Sequence, residues 1–352
     1  MRPWLWTAAL LLLASGCTST GGESGSATPD TSALTVPSSS AWVQLPGAPS
    51  ERTEVAAAVS ADRIVVAGGL AADNGSLTTV EIYDIRARTW SAGPPLPLAI
   101  NHAMAASVAG VVYVFGGYLA DGTPSAAAFR LDPPFSTGPA GASAAVPAGS
   151  RWRSAADMPS ARAAGAAAAI DGKIYVAAGI GPGRDVLADS ALVYDAAADR
   201  WSTAPGAPTR REHLGGAAAG GLFYTVGGRT AAGGNMAAVE SFDPRSGAWT
   251  RRPDLPTARG GLAATAACNG VVIAAGGEGQ HTFEQVEAFF PGSGAAGQWR
   301  SLPPMPHPRH GLGMVTVGPT LFTLPGGPQP GLHVGRDTES LDLSFLSGCG
   351  TS

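Results

Sequence analysis

Trp201-Ser202-Thr203-Ala204-Pro205-Gly206-Ala207-Pro208-Thr209-Arg210-Arg211 opens a unit that continues through Phe223-Tyr224-Thr225-Val226-Gly227-Gly228 and Val239-Glu240-Ser241-Phe242-Asp243, and meets the next tryptophan at Trp249. Its first phrase is a tryptophan, a proline seven residues on and an arginine three further. The phrase recurs as Trp42/Pro49/Arg52, Trp152/Pro159/Arg162, Trp249/Pro256/Arg259 and Trp299/Pro306/Arg309, and as Trp90/Pro97 with Ile100 in the arginine's place. Apart from Trp4 and Trp6 these are all the tryptophans, and successive ones lie 48, 62, 49, 48 and 50 residues apart. A chain that holds its tryptophans at one phase is an array of equivalent units, and a period of about fifty residues belongs to propellers and solenoids.

The second phrase is a short apolar run ending in two glycines. It recurs as Ile64-Val65-Val66-Ala67-Gly68-Gly69, Val112-Tyr113-Val114-Phe115-Gly116-Gly117 and Val272-Ile273-Ala274-Ala275-Gly276-Gly277. Blade-to-be three carries a degenerate Ala177-Ala178-Gly179, and the sixth copy reads Thr323-Leu324-Pro325-Gly326-Gly327. Runs of β-branched and aromatic residues read as buried strands. The third phrase ends in aspartate: Val80-Glu81-Ile82-Tyr83-Asp84, Leu192-Val193-Tyr194-Asp195 and Val239-Glu240-Ser241-Phe242-Asp243, each with tryptophan six residues later. In order, these phrases resemble the kelch repeat, with its Gly-Gly, Tyr-Asp and trailing Trp. The resemblance implies an all-β, six-bladed kelch-type β-propeller with four-stranded blades.

The count sets the closure. Trp42 has no strands before it, and the last unit reaches Glu339-Ser340-Leu341-Asp342-Leu343 without a tryptophan strand after it. The Trp42 segment therefore completes the sixth blade and removes the open edge that the last sheet would leave. Runs such as Ala163-Ala164-Gly165-Ala166-Ala167-Ala168-Ala169 score as helix by propensity, yet fall at the inner-strand position, where only small side chains fit the taper near the axis.

Four segments follow: residues 1–16 as a signal peptide, 17–40 as a lipidated N-terminus and tether, 41–346 as the propeller with an insertion at 133–150, and 347–352 as a tail. Residues 1–16 combine Arg2, a short leucine and alanine run and small residues, the pattern of a secretory signal, and are too short to span a bilayer. Leu13-Ala14-Ser15-Gly16-Cys17 resembles the bacterial lipobox, which implies lipidation at Cys17; an ordinary signal peptide is the alternative. Several acyl chains give stable anchoring. The expected location is the outer face of a bacterial cytoplasmic membrane, reached through the lipid anchor alone. Residues 18–40 and 133–150 hold too little apolar surface to offset the entropy of ordering. An exported chain permits a Cys268–Cys349 disulfide across neighbouring turns, with two free thiols as the alternative.

Formal net charge is −4, with no basic run to suggest nucleic acid. Arg52, Arg162, Arg211, Arg259 and Arg309 enter the innermost strands, which the resemblance places near the channel mouth. Guanidinium forks there would suit carboxylates. Glu81, Glu240, Glu287 and Glu339 recur at one phase of the third strand and offer the opposite reading, pairing inside the scaffold. The second unit lacks both partners, with Ile100 and Phe129, whereas Arg162 faces Leu192 and becomes the candidate unpaired arginine. His102, His213, His310, Tyr118, Arg229 and Glu278 complete the candidate ligand-binding set. No His/Cys/Asp cluster has metal-ligand spacing, and no nucleophile elbow or phosphate loop occurs, so neither metal nor cofactor is expected. The expected function is a monomeric, non-catalytic module for a protein or anionic glycan. The alternative is an enzyme on a small anionic sugar, by resemblance to six-bladed kelch sialic-acid mutarotases, with Glu278 and His281 as acid and base.

Overall fold

The computed structural model describes residues 41–132, 149–183, 185–346 and 348–349, apart from the side chain of Asn269. The signal peptide, Cys17, the tether and all of the insertion except Gly149 and Ser150 lie outside the described residues. No helix among the described residues is long and apolar enough to cross a membrane.

Each blade is a meander of four antiparallel strands. Blade 1 comprises Ala56–Ser60, Arg63–Ala67, Val80–Asp84 and Thr89–Ala92; blade 2 Met104–Val108, Val111–Phe115, Ala128–Asp132 and Arg151–Ser154. Blade 3 comprises Ala166–Ile170, Lys173–Ala177, Ser190–Asp195 and Arg200–Pro205; blade 4 Gly215–Ala219, Leu222–Val226, Val239–Asp243 and Ala248–Arg251. Blade 5 comprises Ala263–Ala267, Val271–Ala275, Val286–Pro291 and Gly297–Ser301. Blade 6 takes Met314–Val317, Thr320–Thr323 and Glu339–Asp342 from the end of the chain, and its outer strand, Val43–Gln44, from the beginning. The latch register is Val43 opposite Ser340 and Gln44 opposite Glu339. Neighbouring inner strands pack side by side in a closed circle, with blade 1 against blade 6.

The three sequence phrases each have a physical job. Every repeat tryptophan donates its indole N–H to a backbone carbonyl of the preceding blade: Trp90 to Pro46, Trp152 to Pro94, Trp201 to Ala156, Trp249 to Pro205, Trp299 to Pro253, and Trp42 to Pro303 across the closure, at 2.6–3.0 Å. In four blades the same indole packs on the aromatic residue opposite it, as in Tyr83–Trp90 at 5.1 Å and Tyr194–Trp201 at 5.0 Å between ring centroids. The aspartates after the aromatic residue cap the next turn, Asp84 Oδ1 accepting from the amides of Arg86 and Ala87 at 2.9 and 2.8 Å. The glycine doublet is where blades touch. A Cβ on Gly68 would stand 2.5 Å from the carbonyl oxygen of Ile100 in the next blade, while Gly69 N–H donates to that oxygen at 2.9 Å.

Crowding at the axis accounts for the alanines. A Cβ on Gly215 would lie 2.5 Å from the Ala264 methyl, and one on Gly216 2.8 Å from the Ala167 nitrogen, so the inner strands tolerate little beyond a methyl group. Blade 6 is the irregular one. Its first two strands have four residues where the others have five; the second ends at Thr323, and Pro325 beyond it accepts from Gly313 N–H but has no N–H of its own for the ladder. Blade 4 carries a small extra hairpin, Arg229–Thr230 with Gly234–Asn235, which the repeat pattern did not foretell.

Candidate functional site

The connections between second and third strands, and those between blades, emerge on one face around the channel. At its mouth sit six equivalent residues, two beyond the arginine position of each blade: Glu54, His102, Ala164, His213, Gly261 and Gly311. All six have left-handed backbones, with φ between 51° and 68°. Amide-to-carbonyl hydrogen bonds run from each to the next: His102 to Glu54, Ala164 to His102, His213 to Ala164, Gly261 to His213 and Gly311 to Gly261, at 2.9–3.0 Å. Val55 N–H closes the circle on the Gly311 carbonyl at 3.2 Å. A left-handed conformation costs an L-residue roughly 1–2 kcal/mol, a cost glycine avoids. Glu54, His102 and His213 hold that conformation while turning ionisable side chains into a cavity of about 140 Å³ at the mouth. A further space of about 390 Å³, lined mainly by inner-strand alanines, continues down the axis.

The mouth side chains form one connected network. Glu54 receives His310 Nδ1 on Oε1 at 3.2 Å, and its Oε2 lies 3.2 Å from His102 Nε2. His102 Nδ1 contacts Asn101 Oδ1, and Asn101 Nδ2 donates to Ser76 Oγ at 2.7 Å. Across the opening, His213 Nδ1 contacts Glu212 Oε2, and Arg229 bridges Glu212 and Glu278 at 3.2 and 2.6 Å. Glu278 Oε2 accepts from Gly331 N–H at 2.8 Å and lies 3.7 Å from His310 Nδ1. The His102 and His213 rings meet edge to face at 4.6 Å, and Tyr118 meets His102 the same way at 5.4 Å. Blade 3 leaves a gap in the circle with Ala163 and Ala164.

Burial alone would raise the Glu54 pKa, but His102 and His310 outweigh it and hold the carboxyl well below the usual carboxylate range. Burial lowers His102, with Glu54 opposing, and lowers His213 well below the ordinary imidazole value, with His102 adding to the effect. His310 goes the other way: burial lowers it, but the hydrogen bond and charge of Glu54, with Glu278, raise it overall. The mouth therefore favours the ionised form of Glu54 and the protonated form of His310, and disfavours the protonated forms of His102 and His213.

The structure thus brings together His102, His213, His310, Tyr118, Arg229 and Glu278 from the sequence-predicted set. The five arginines are placed elsewhere. Arg52, Arg162, Arg211, Arg259 and Arg309 are at most 1% exposed, inside their blades, and do not line the mouth cavity. Four pair with third-strand glutamates: Arg52 with Glu81 at 2.7 Å, Arg211 with Glu240 at 2.7 Å, Arg309 with Glu339 at 2.8 Å, and Arg259 with Glu287. The other carboxylate oxygen takes Ser50, Thr209, Thr257 or His307, each two residues before its arginine. In blade 2, Ile100 and Phe129 lie in one apolar cluster instead. Arg162 is correctly read as lacking a carboxylate but is not ligand-facing: it donates to the carbonyls of Ala178 and Ser190 at 3.0 Å, leaves Nε unpartnered, and is pushed down to about 10 by desolvation. His281 is exposed against Phe283 rather than poised on the Glu278 carboxylate. On the opposite face, Cys268 and Cys349 form a disulfide with Cα atoms 4.6 Å apart.

Glu54 and Glu212 are the mouth residues that sequence reading missed. The signal was there at the level of the repeat: Glu54, His102 and His213 share one phase in blades 1, 2 and 4, although 48 and 111 residues separate them. Spacing rules for metal ligands look within one segment and are blind to a ring.

The blades, the tryptophan ties and the N-terminal latch define a six-bladed β-propeller with its polar mouth on the loop face. The Kelch motif matches residues 51–97 and 210–256. Kelch-like protein terF of Aspergillus terreus (strain NIH 2624 / FGSC A1156) is 30% identical over 341 residues, spanning 90% of this chain and 69% of its own. Kelch-like protein 34 of Homo sapiens is 28% identical over 264 residues, 70% of this chain and 38% of its own length. The chain spans only 28% of Kelch-like protein 35 of Mus musculus. The solved structure of YjhT superposes with a TM-score of 0.66 at 17% identity, covering 84% of this chain and 95% of YjhT. This chain belongs to the kelch-repeat family.

Proposed function

We propose that the chain is a protein-binding propeller that engages its partner with the mouth face, and that the N-terminal segment exports and tethers it outside a bacterial cytoplasmic membrane. One observation carries the binding reading. Of the four large apolar side chains exposed among the described residues, Leu98, Val186 and Leu332 lie in mouth-face connections; Val186 follows Asp185, which lines a cavity with Tyr118, and Leu332 follows Gly331, whose N–H reaches Glu278. Exposed apolar groups on the same face as a polar centre make a docking surface, since burying them drives association while the polar groups set orientation. With the arginines drawn into the blades, the argument for an anionic ligand loses its guanidinium ring. What remains is a mixed rim with Arg229 as a half-buried cation.

The test is cross-linking of the intact chain on cells, followed by binding of the recovered partner to wild type and to the double substitution Val186→Asp/Leu332→Asp. Loss of binding with an unchanged melting temperature supports the mouth face. Unchanged binding moves the partner to the outer blade edges. The tether is tested separately: Cys17→Ser should release the protein from the membrane fraction, and retention there would refute lipidation.

A further inference from the structure

We propose that Glu54, His102 and His213 form a binding site for a divalent transition-metal ion of the zinc or iron(II) class on the propeller axis. One donor atom from each lies within 4.8 Å of the other two. Around a tetrahedral ion, donor atoms stand about 3.3 Å apart, given metal–ligand bonds of about 2.0–2.1 Å. The 3.2 Å separation of His102 Nε2 and Glu54 Oε2 is already that edge.

The hydrogen-bond chain behind these donors points the same way. Asn101 gives its amide N–H to Ser76, so its Oδ1 faces His102 and accepts from Nδ1–H. In the neutral tautomer that keeps Nδ1–H, the Nε2 lone pair is turned toward Glu54 Oε2. The contact that a proton bridges in the imidazolium is one that a metal ion can take over, with Nε2 and Oε2 as its donors. His213 repeats the pattern: Glu212 accepts from Nδ1, and Nε2 is left as the donor nitrogen. Glu54 is steered by His310 on Oε1, which leaves Oε2 for the ion. An oxygen acceptor behind each ligating imidazole fixes its tautomer and orientation and raises its basicity. Two imidazoles and one carboxylate favour a transition ion over magnesium or calcium, which take all-oxygen sites. Three protein donors leave coordination positions open to the mouth cavity, so a donor atom from outside has a place to bind.

The experiment is calorimetric titration of the metal-stripped full chain with Zn²⁺ alone, with Co²⁺ absorption to read ligand type. One equivalent bound, with the intense visible bands of low-coordinate Co²⁺ and no displacement by millimolar Mg²⁺, is the expected result. His102→Gln and His213→Gln should each weaken Zn²⁺ by about 100-fold or more, and Asn101→Ala, which only steers His102, by about 10- to 100-fold. Glu54→Gln keeps the side chain's size and an acceptor for His310, and guards against loss of fold as the cause. His281→Ala, on the exposed loop, should change nothing. No saturable binding by the wild type would overturn the proposal. So would an affinity that the three ligand substitutions leave intact, or one that His281→Ala abolishes.

Discussion

Arg162 and Arg211 occupy the same position in adjacent blades and face opposite energetics. Arg211 donates to Glu240, to the Gly227, Thr209 and Thr225 carbonyls, and to the Thr225 hydroxyl, so both charges are met inside the blade. Arg211→Met would strand Glu240 and is expected to cost about 3–5 kcal/mol, as removing one partner of a buried pair does. Arg162→Met strands no carboxylate and relieves a desolvated cation with an unpartnered Nε; a change below about 1 kcal/mol is expected by denaturant titration. Equal losses would disprove the distinction. The sequence held this contrast, because Leu192 stands where four of the other blades have glutamate. It did not hold the burial: only closure of the blade shows that an arginine entering the inner strand folds back onto its own sheet. The histidines give a second prediction. His102 and His213 have lowered pKa values in the folded state, so the stability they contribute as neutral groups is present above the unfolded value of about 6.5 and is lost as pH falls below it. His310 is raised, so its contribution is present below about 6.5 and is lost as pH rises through its folded value. Denaturation midpoints against pH should show a shallower acid decline in His213→Gln and a shallower alkaline decline in His310→Gln.

Val43–Gln44 is one of the shortest elements and holds the only chain-end-to-chain-end strand pairing among the described residues. Beside it Leu45 N–H donates to Thr338 and Ala48 N–H to Arg336, at 2.9 and 2.8 Å, and Trp42 ties blade 6 to blade 5 through Pro303. Deleting residues 41–48 should therefore lower the melting temperature far more than eight residues of exposed loop would; an unchanged value would rule out the latch. The Cys268–Cys349 bridge is the second tie. It closes an 81-residue separation, for which loop entropy gives about 4.5 kcal/mol, and Cys268→Ser is expected to cost about 2–5 kcal/mol. A melt in reductant that matched the untreated one would refute this. Strands and latch were legible because repeats announce themselves by counting. The tapering of blade 6 was partly legible in Pro325, while the blade 4 hairpin, built from Thr230, Gly233 and Gly234, left no repeat signal to read.

At the scale of the whole molecule, every blade is held to both neighbours by an indole bond and by a contact at the glycine-doublet position, which in blade 3 is Ala178-Gly179, and the ring of blades is closed. Unfolding should accordingly be one cooperative transition, with tryptophan fluorescence and far-UV circular dichroism losing their signals together; two separated midpoints would mean that blades fail independently. The landmarks that make the architecture readable sit in the blades, where they meet one another. The mouth is composed of residues that meet only after closure, which is why the repeat predicted the ring and not the Glu54–His102–His213 cluster.

The six left-handed residues at that mouth hold their conformation through main-chain hydrogen bonds that take no account of which side chain is attached. Folding information and chemical identity are thereby written in different places. A lineage can rewrite the centre of the mouth while the scaffold is inherited unchanged, and Ala164, Gly261 and Gly311 are the seats in this chain that carry no ionisable group.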